Sequence, residues 1–127
     1  MSSGEAEYYG IVKGATMGIR IKSLLGDLGM PRDMMKLLIY TDSSTAKSIA
    51  QRRGVGRVRH IEVCQLWIQQ EVQNGRIDVA KVKGTNNLAD ILTKHVDNTT
   101  LARHIGNMAT ERRTDRHQLN PQKARDQ

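Results

Sequence analysis

The sequence predicts an α/β domain in the order helix, strand, helix, helix, strand, helix, with its two strands parallel. Three observations carry this reading. Lys36-Leu37-Leu38-Ile39-Tyr40-Thr41 and Ile77-Asp78-Val79-Ala80-Lys81-Val82 are short, apolar-rich runs of strand length. Between them lie residues of helical periodicity, the crossover that a parallel pair requires. A further amphipathic segment flanks each strand on its outer side. The domain is read as residues 1–109, followed by a basic, polar tail at 110–127.

The opening helix spans residues 3–28. Tyr8, Ile11, Val12, Ala15, Ile19, Leu24, Leu25 and Leu28 recur near helical spacing, Ser2 and Glu5 read as a capping box, and Gly29-Met30-Pro31 ends the helix. Gly10, Gly14 and Gly18 line one face at steps of four. Each costs about 1 kcal/mol relative to Ala in a helix, so close packing along that face is expected.

The run at residues 36–41 holds a short continuous apolar stretch, Leu37–Tyr40, which suits a strand covered on both faces. It ends on Asp42, and Ser43-Ser44 begin a helix reaching Arg52. Gly54-Val55-Gly56 is a break. A second helix is expected over residues 58–73, with Ile61, Cys64, Ile68 and Val72 on one stripe and Trp67 beside it. Asn74-Gly75 closes it as a left-handed cap.

Residues 77–82 form the second strand. Gly84-Thr85-Asn86-Asn87 reads as a turn capping a helix over residues 88–96, and another helix covers 99–108. The last 18 residues have almost no apolar content and read as disordered. Two parallel strands alone leave unpaired edges, a first indication that the sheet is incomplete.

Composition narrows the function classes. At 127 residues the chain has room for one domain. A single Cys excludes a disulfide framework and any multi-Cys zinc site, and fits a reducing, intracellular compartment, cytoplasmic or nuclear. No apolar run approaches membrane-spanning length, and the start, MSSGEAEYYG, is the reverse of a secretory signal. The net charge is +7, of which +5 lies on residues 1–109. It is densest at Lys47, Arg52, Arg53, Arg57 and Arg59, with no acid between Asp42 and Glu62. Such an arc is the electrostatic footprint of phosphate contact, or else a solvated basic face.

Three acids stand where an α/β sheet gathers a site: Glu7 near the start of the first helix, Asp42 at the carboxyl end of the first strand, and Asp90 after the second. Converging carboxylates repel, and a divalent cation makes their approach tolerable. Mg²⁺ takes hard oxygen ligands, and two ions about 3.5–4 Å apart clamp the oxygens of an in-line phosphoryl displacement. Each acid also has a local reading. Glu5 and Glu7 complement a helix dipole, Asp42 suits an N-cap, and Asp90 suits a capping partner of Asn87.

The words around these acids occur in a fixed order: Ser2-Ser3-Gly4-Glu5-Ala6-Glu7-Tyr8, Ile39-Tyr40-Thr41-Asp42-Ser43, Arg59-His60-Ile61-Glu62 and Leu88-Ala89-Asp90-Ile91-Leu92-Thr93-Lys94. Over residues 2–96 the sequence closely resembles the ribonuclease H domain at the end of copia-type LTR retrotransposon Pol polyproteins. The resemblance implies hydrolysis of the RNA strand of RNA–DNA hybrids with two Mg²⁺ (or Mn²⁺) ions. It implies Glu7, Asp42 and Asp90 as catalytic metal ligands, with Glu5 the cap. Lys47, Arg52, Arg53, Arg57, Arg59 and His60 are the candidates for nucleic-acid contact, His60 having also a reading as a helix-start residue. The partners implied are an RNA–DNA hybrid or other nucleic acid and the rest of a Pol polyprotein, with no membrane. The family places three antiparallel strands, the first bearing a leading aspartate, ahead of the Glu7 helix. Met1 stands directly before that helix, so the expectation is an incomplete ribonuclease H-like fold with three of four acids and no nuclease activity of its own. The Gly84–Asn87 loop also lacks the histidine usual in cellular ribonucleases H. The rival expectations are a non-catalytic nucleic-acid-binding remnant and an inactive pseudogene product.

Overall fold

The computed structural model describes residues 2–54, 56 and 61–110. These residues form an α/β arrangement with five helices and one two-stranded parallel sheet. The chain divides into two compact units, Met1–Asn87 and Leu88–Gln127. Among the described residues no helix is long and apolar enough to cross a membrane.

In the first unit, α1 (Ser3–Asp27) starts with the expected capping box. The Glu5 N–H donates to Ser2 Oγ at 3.3 Å, and the Ser2 N–H donates to Glu5 Oε2 at 3.0 Å. The helix closes as a Schellman turn. Gly29 takes a φ of 95° while the Met30 N–H donates to the Leu25 carbonyl at 3.0 Å. Tyr8, Ile11, Val12 and Ala15 are buried, but Ile19, Leu24 and Leu28 are exposed, which corrects the expected continuous apolar stripe. The physical reason lies in the sheet. Leu37, its first residue, lies against Gly18, and the following turns of α1 meet the 3₁₀ turn Arg32–Met34 instead of a strand.

The glycine face is likewise corrected. A Cβ on Gly18 would come within 2.5 Å of Leu37 Cδ1, whereas Gly10 and Gly14 face open space. A close approach that the spacing did not indicate occurs at Gly4, where a Cβ would collide with Thr45 Cγ2.

β1 (Leu37–Thr41) and β2 (Ile77–Lys81) pair in parallel, with Leu37 opposite Ile77 and Thr41 opposite Lys81. Leu37, Ile39 and Thr41 share the face of Ile77 and Val79 that meets the helices. Leu38 and Tyr40 point the other way and are 47% and 62% exposed. The strand is therefore covered on one face, not on both as its continuous apolarity suggested. At the opposite end of the sheet, Lys36 Nζ lies 2.7 Å from Asp78 Oδ2 in an exposed ion pair worth about 0–1 kcal/mol.

α2 (Ser44–Gln51) contributes Ala46, Ile49 and Ala50 to the core. The expected long second helix is shorter. Residues 57–60 lie outside the described residues, a 3₁₀ turn covers Val63–Gln65, and α3 spans Trp67–Gln73. Ile61 and Ile68 are buried and Val72 packs on the core, as their stripe implied. Gly75, at a φ of 71°, closes α3 as expected, with the Arg76 N–H donating to the Glu71 carbonyl at 3.0 Å.

Two side-chain ties fix these pieces. Gln69 is buried, and its Nε2 donates to the Ile49 and Gly54 carbonyls at 2.8 and 3.0 Å, while its Oε1 accepts the Gly54 N–H at 2.8 Å. All three bonds hold the end of α2 onto α3. The neighbouring tyrosines of α1 hold the segment before α3. Tyr8 Oη donates to the Gln65 carbonyl at 2.8 Å, and the Glu62 N–H donates to Tyr9 Oη at 3.3 Å.

In the second unit, the helix expected over residues 88–96 is a single turn, α4 (Asp90–Thr93). No side chain caps its N-terminus, which sits on Ala89, so Asp90 does not act as the capping partner considered above. α5 (Asn98–Asn107) is close to expectation, and the Asp97 carboxylate caps it by accepting the Thr100 N–H at 3.3 Å. The disordered tail read from the sequence falls, from residue 111 onward, outside the described residues.

Candidate functional site

Asp42 follows directly on β1, at the carboxyl end of the parallel pair where open α/β sheets place their ligands. The turn that carries it is built by its neighbours. Thr41 is buried, and its Oγ1 accepts the Ser43 N–H at 3.1 Å while its carbonyl accepts the Val82 N–H at 2.9 Å. Ser43, not Asp42, is the N-cap of α2, with its Oγ accepting the Ala46 N–H at 3.1 Å. The local capping role considered for Asp42 is thereby filled by another residue. Its Oδ2 is 3.8 Å from where a Cβ on Gly84 would stand, ordinary van der Waals contact, so the loop after β2 runs past the carboxylate.

Glu7 is exposed on the second turn of α1. The first turns of α1 and α2 touch at Gly4 and Thr45, which brings the helix starts bearing Glu7 and following Asp42 side by side. Glu5, in contrast, is buried and spent on the capping box, as its position suggested. Asp90 belongs to the second unit, where its Oδ1 pairs with Lys94 Nζ at 3.0 Å across one turn. Among the described residues no group of three or more His, Cys, Asp or Glu side chains is placed to hold a metal ion.

The basic arc is seen in part. Lys47 and Arg52 line a concavity of about 450 Å³ together with Ser44, Ser48, Gln51 and Lys81. Arg53 turns aside, its Nε donating to Gln73 Oε1 at 3.1 Å. Arg57, Arg59 and His60 lie outside the described residues. Sequence reasoning missed Lys81 and Gln69. The signal for Lys81 was its parity. It shares the face of Ile77 and Val79, so a lysine there must emerge where the core ends, beside the start of α2. Nothing in the helical pattern distinguishes Gln69 from a solvent-facing glutamine.

The most perturbed side chain near this end of the fold is Tyr8. Burial pushes its hydroxyl up to about 12, Tyr9 adds to the shift, and the positive charge of Arg52 opposes it. Tyr8 therefore stays a neutral hydrogen-bond donor throughout the physiological range.

The sequence is 31% identical over 97 residues to the Retrovirus-related Pol polyprotein from transposon TNT 1-94 of Nicotiana tabacum. The chain resembles a stretch of a retrotransposon Pol polyprotein. The match takes in 76% of this chain and 7% of the polyprotein, so the chain corresponds to a small part of that relative. It supports a retrotransposon Pol origin without singling out one activity of the polyprotein. No protein-family profile matches the sequence, and no solved structure matches it.

Proposed function

We propose that the chain is a ribonuclease H-like segment of a retrotransposon Pol sequence, and that it engages the backbone of an RNA–DNA hybrid. The observation that carries this reading is Asp42. It stands at the carboxyl end of a parallel strand, with its capping role taken by Ser43 and the start of α1 alongside. The Pol similarity and the order of the four acidic words support it. Hybrid recognition would run through 2′-hydroxyl and phosphate contacts, with little base readout. The rest of a Pol polyprotein is the natural neighbour of such a segment.

Hydrolysis of the RNA strand is the reaction implied by the resemblance, with Mg²⁺ or Mn²⁺ as its ions. Such a centre draws on several carboxylates, for which Glu7, Asp42 and Asp90 are the candidates. The second reading is a non-catalytic binder, which the cation-lined face of α2 favours.

The test is incubation of the 127-residue chain with labelled RNA–DNA hybrid, duplex DNA and single strands, with Mg²⁺ or Mn²⁺ present. The expected result is salt-sensitive binding that prefers the hybrid, without cleavage. Cleavage lost in Asp42→Asn would overturn the non-catalytic reading in favour of the enzyme. Equal binding to every nucleic acid would reduce the function to charge alone, and no binding would overturn the proposal.

A further inference from the structure

The concavity on α2 is more specific than a basic surface. Ser44, Lys47, Ser48 and Gln51 fall at steps of three and four, so they form one polar stripe along a single helix face. Arg52 extends the stripe at the helix end, and Lys81 reaches it from the adjoining end of β2. Three cations therefore line a space of about 450 Å³ with two hydroxyls and an amide, and no carboxylate is among the lining residues. Among the described residues neither Lys47 nor Lys81 takes part in an ion pair.

Like charges gathered around a pocket repel, and an anion seated between them relieves that repulsion. The hydroxyl chemistry points the same way. Lys81 Nζ donates to Ser44 Oγ, which leaves the Ser44 hydroxyl proton to be donated elsewhere. Gln51 is oriented by its own bond, Nε2 donating to the Val79 carbonyl at 3.4 Å. A tetrahedral oxyanion with several acceptor oxygens matches donors arriving from different directions, two ammonium groups, a guanidinium and hydroxyls.

We infer that this concavity is a phosphate-binding site, with Lys47, Lys81 and Arg52 supplying charge and Ser44 and Ser48 supplying hydroxyl donors. The inference deepens the nucleic-acid reading above by naming the group bound and the residues that bind it. The same chemistry is offered by a nucleic-acid backbone phosphate and by free inorganic phosphate. Lys81 stands opposite Thr41 in the sheet, one residue before Asp42, so the site adjoins the candidate acid.

The experiment uses the full chain labelled with ¹⁵N and titrated separately with inorganic phosphate and with a short RNA–DNA hybrid. Two charge-matched double variants accompany it: Lys47→Gln with Lys81→Gln in the pocket, and Lys13→Gln with Arg20→Gln on α1. The expected result is saturable movement of the amide signals of residues 44–52 and 81. Hybrid affinity should fall roughly tenfold in the pocket variant, with the salt slope reduced by about 1, and fall much less in the α1 variant. Saturation by inorganic phosphate that competes with hybrid marks a site for the free anion. Movement with hybrid alone marks a backbone site, and either supports the inference. Equal losses in the two double variants, or no movement at these amides with either probe, would overturn it. Hybrid binding that survives such a failure leaves the proposed function standing. Phosphate binding without hybrid binding keeps the pocket and removes that function.

Discussion

Ser43 Oγ accepts the Ala46 N–H at 3.1 Å, and this bond relieves Asp42 of capping α2. Of the two adjacent residues, only Ser43 therefore carries the helix start. Ser43→Ala is expected to cost about 1 kcal/mol of stability by removing the cap. Asp42→Asn is expected to change stability by less than about 0.5 kcal/mol, as for a surface substitution without a structural tie. Urea unfolding of both variants checks this. A larger loss in Asp42→Asn than in Ser43→Ala would reverse the assignment.

The Tyr8 hydroxyl gives a stability signature at high pH. Its folded value is raised to about 12 from an ordinary value of 10.0. The folded state therefore holds its proton more tightly, and the associated stability is fully present below pH 10 and is lost as pH rises toward 12. The loss by pH 12 is roughly 2 kcal/mol on the usual conversion. Tyr8→Phe should be less stable at neutral pH by about 1 kcal/mol, since the Gln65 carbonyl loses its donor. The difference between the two proteins should shrink above pH 10 and change sign before pH 12 in thermal melts. A constant difference would show that Tyr8 does not titrate in this way.

The glycines of α1 divide by what they face. Gly10→Ala and Gly14→Ala place a methyl group in open space and should each stabilise the protein by about 1 kcal/mol. Gly18→Ala must displace Leu37 at the start of β1, and so should forfeit that gain or destabilise. Melting temperatures of the three variants order the outcomes, and a gain at Gly18 equal to that at Gly14 would contradict the contact with Leu37.

At the other end of the pH scale, the hydrogen bonds to Thr100 hold the Asp97 carboxyl below its ordinary value of 3.8. Its contribution to α5 is therefore present above that value and is lost as pH falls through the lowered one. The Thr100 amide should lose hydrogen-exchange protection in that acid range, and Asp97→Ala should lack the protection at neutral pH as well. Unchanged exchange in Asp97→Ala would mean that the cap does not hold the helix start.

Structure is legible in the sequence where one short stretch of chain carries its own physics. The Ser2–Glu5 box, the Gly29 and Gly75 terminations, and both strands with their parallel pairing follow from capping chemistry, left-handed glycine and apolar runs joined by a helical crossover. The helices over 58–73 and 88–96 were overextended, because periodicity continues through a 3₁₀ turn and cannot show where the hydrogen bonding changes. Burial departs from the apolar pattern at Leu38, Tyr40 and the second half of α1, since an apolar side chain does not specify that anything will cover it.

The sequence by itself determined which residues are chemically able to act: the acids at the expected words, and a stretch from Asp42 to Glu62 holding cations and no acid. Their use depends on the fold. It turned Arg53 toward Gln73 and joined Lys81 to the Lys47 face of α2. The reason is that a cap or a strand end acts over three or four residues, whereas Lys81 and Ser44 meet across 37 residues of chain through the parallel pairing of β1 and β2. No local pattern encodes that distance, and the sheet register sets it.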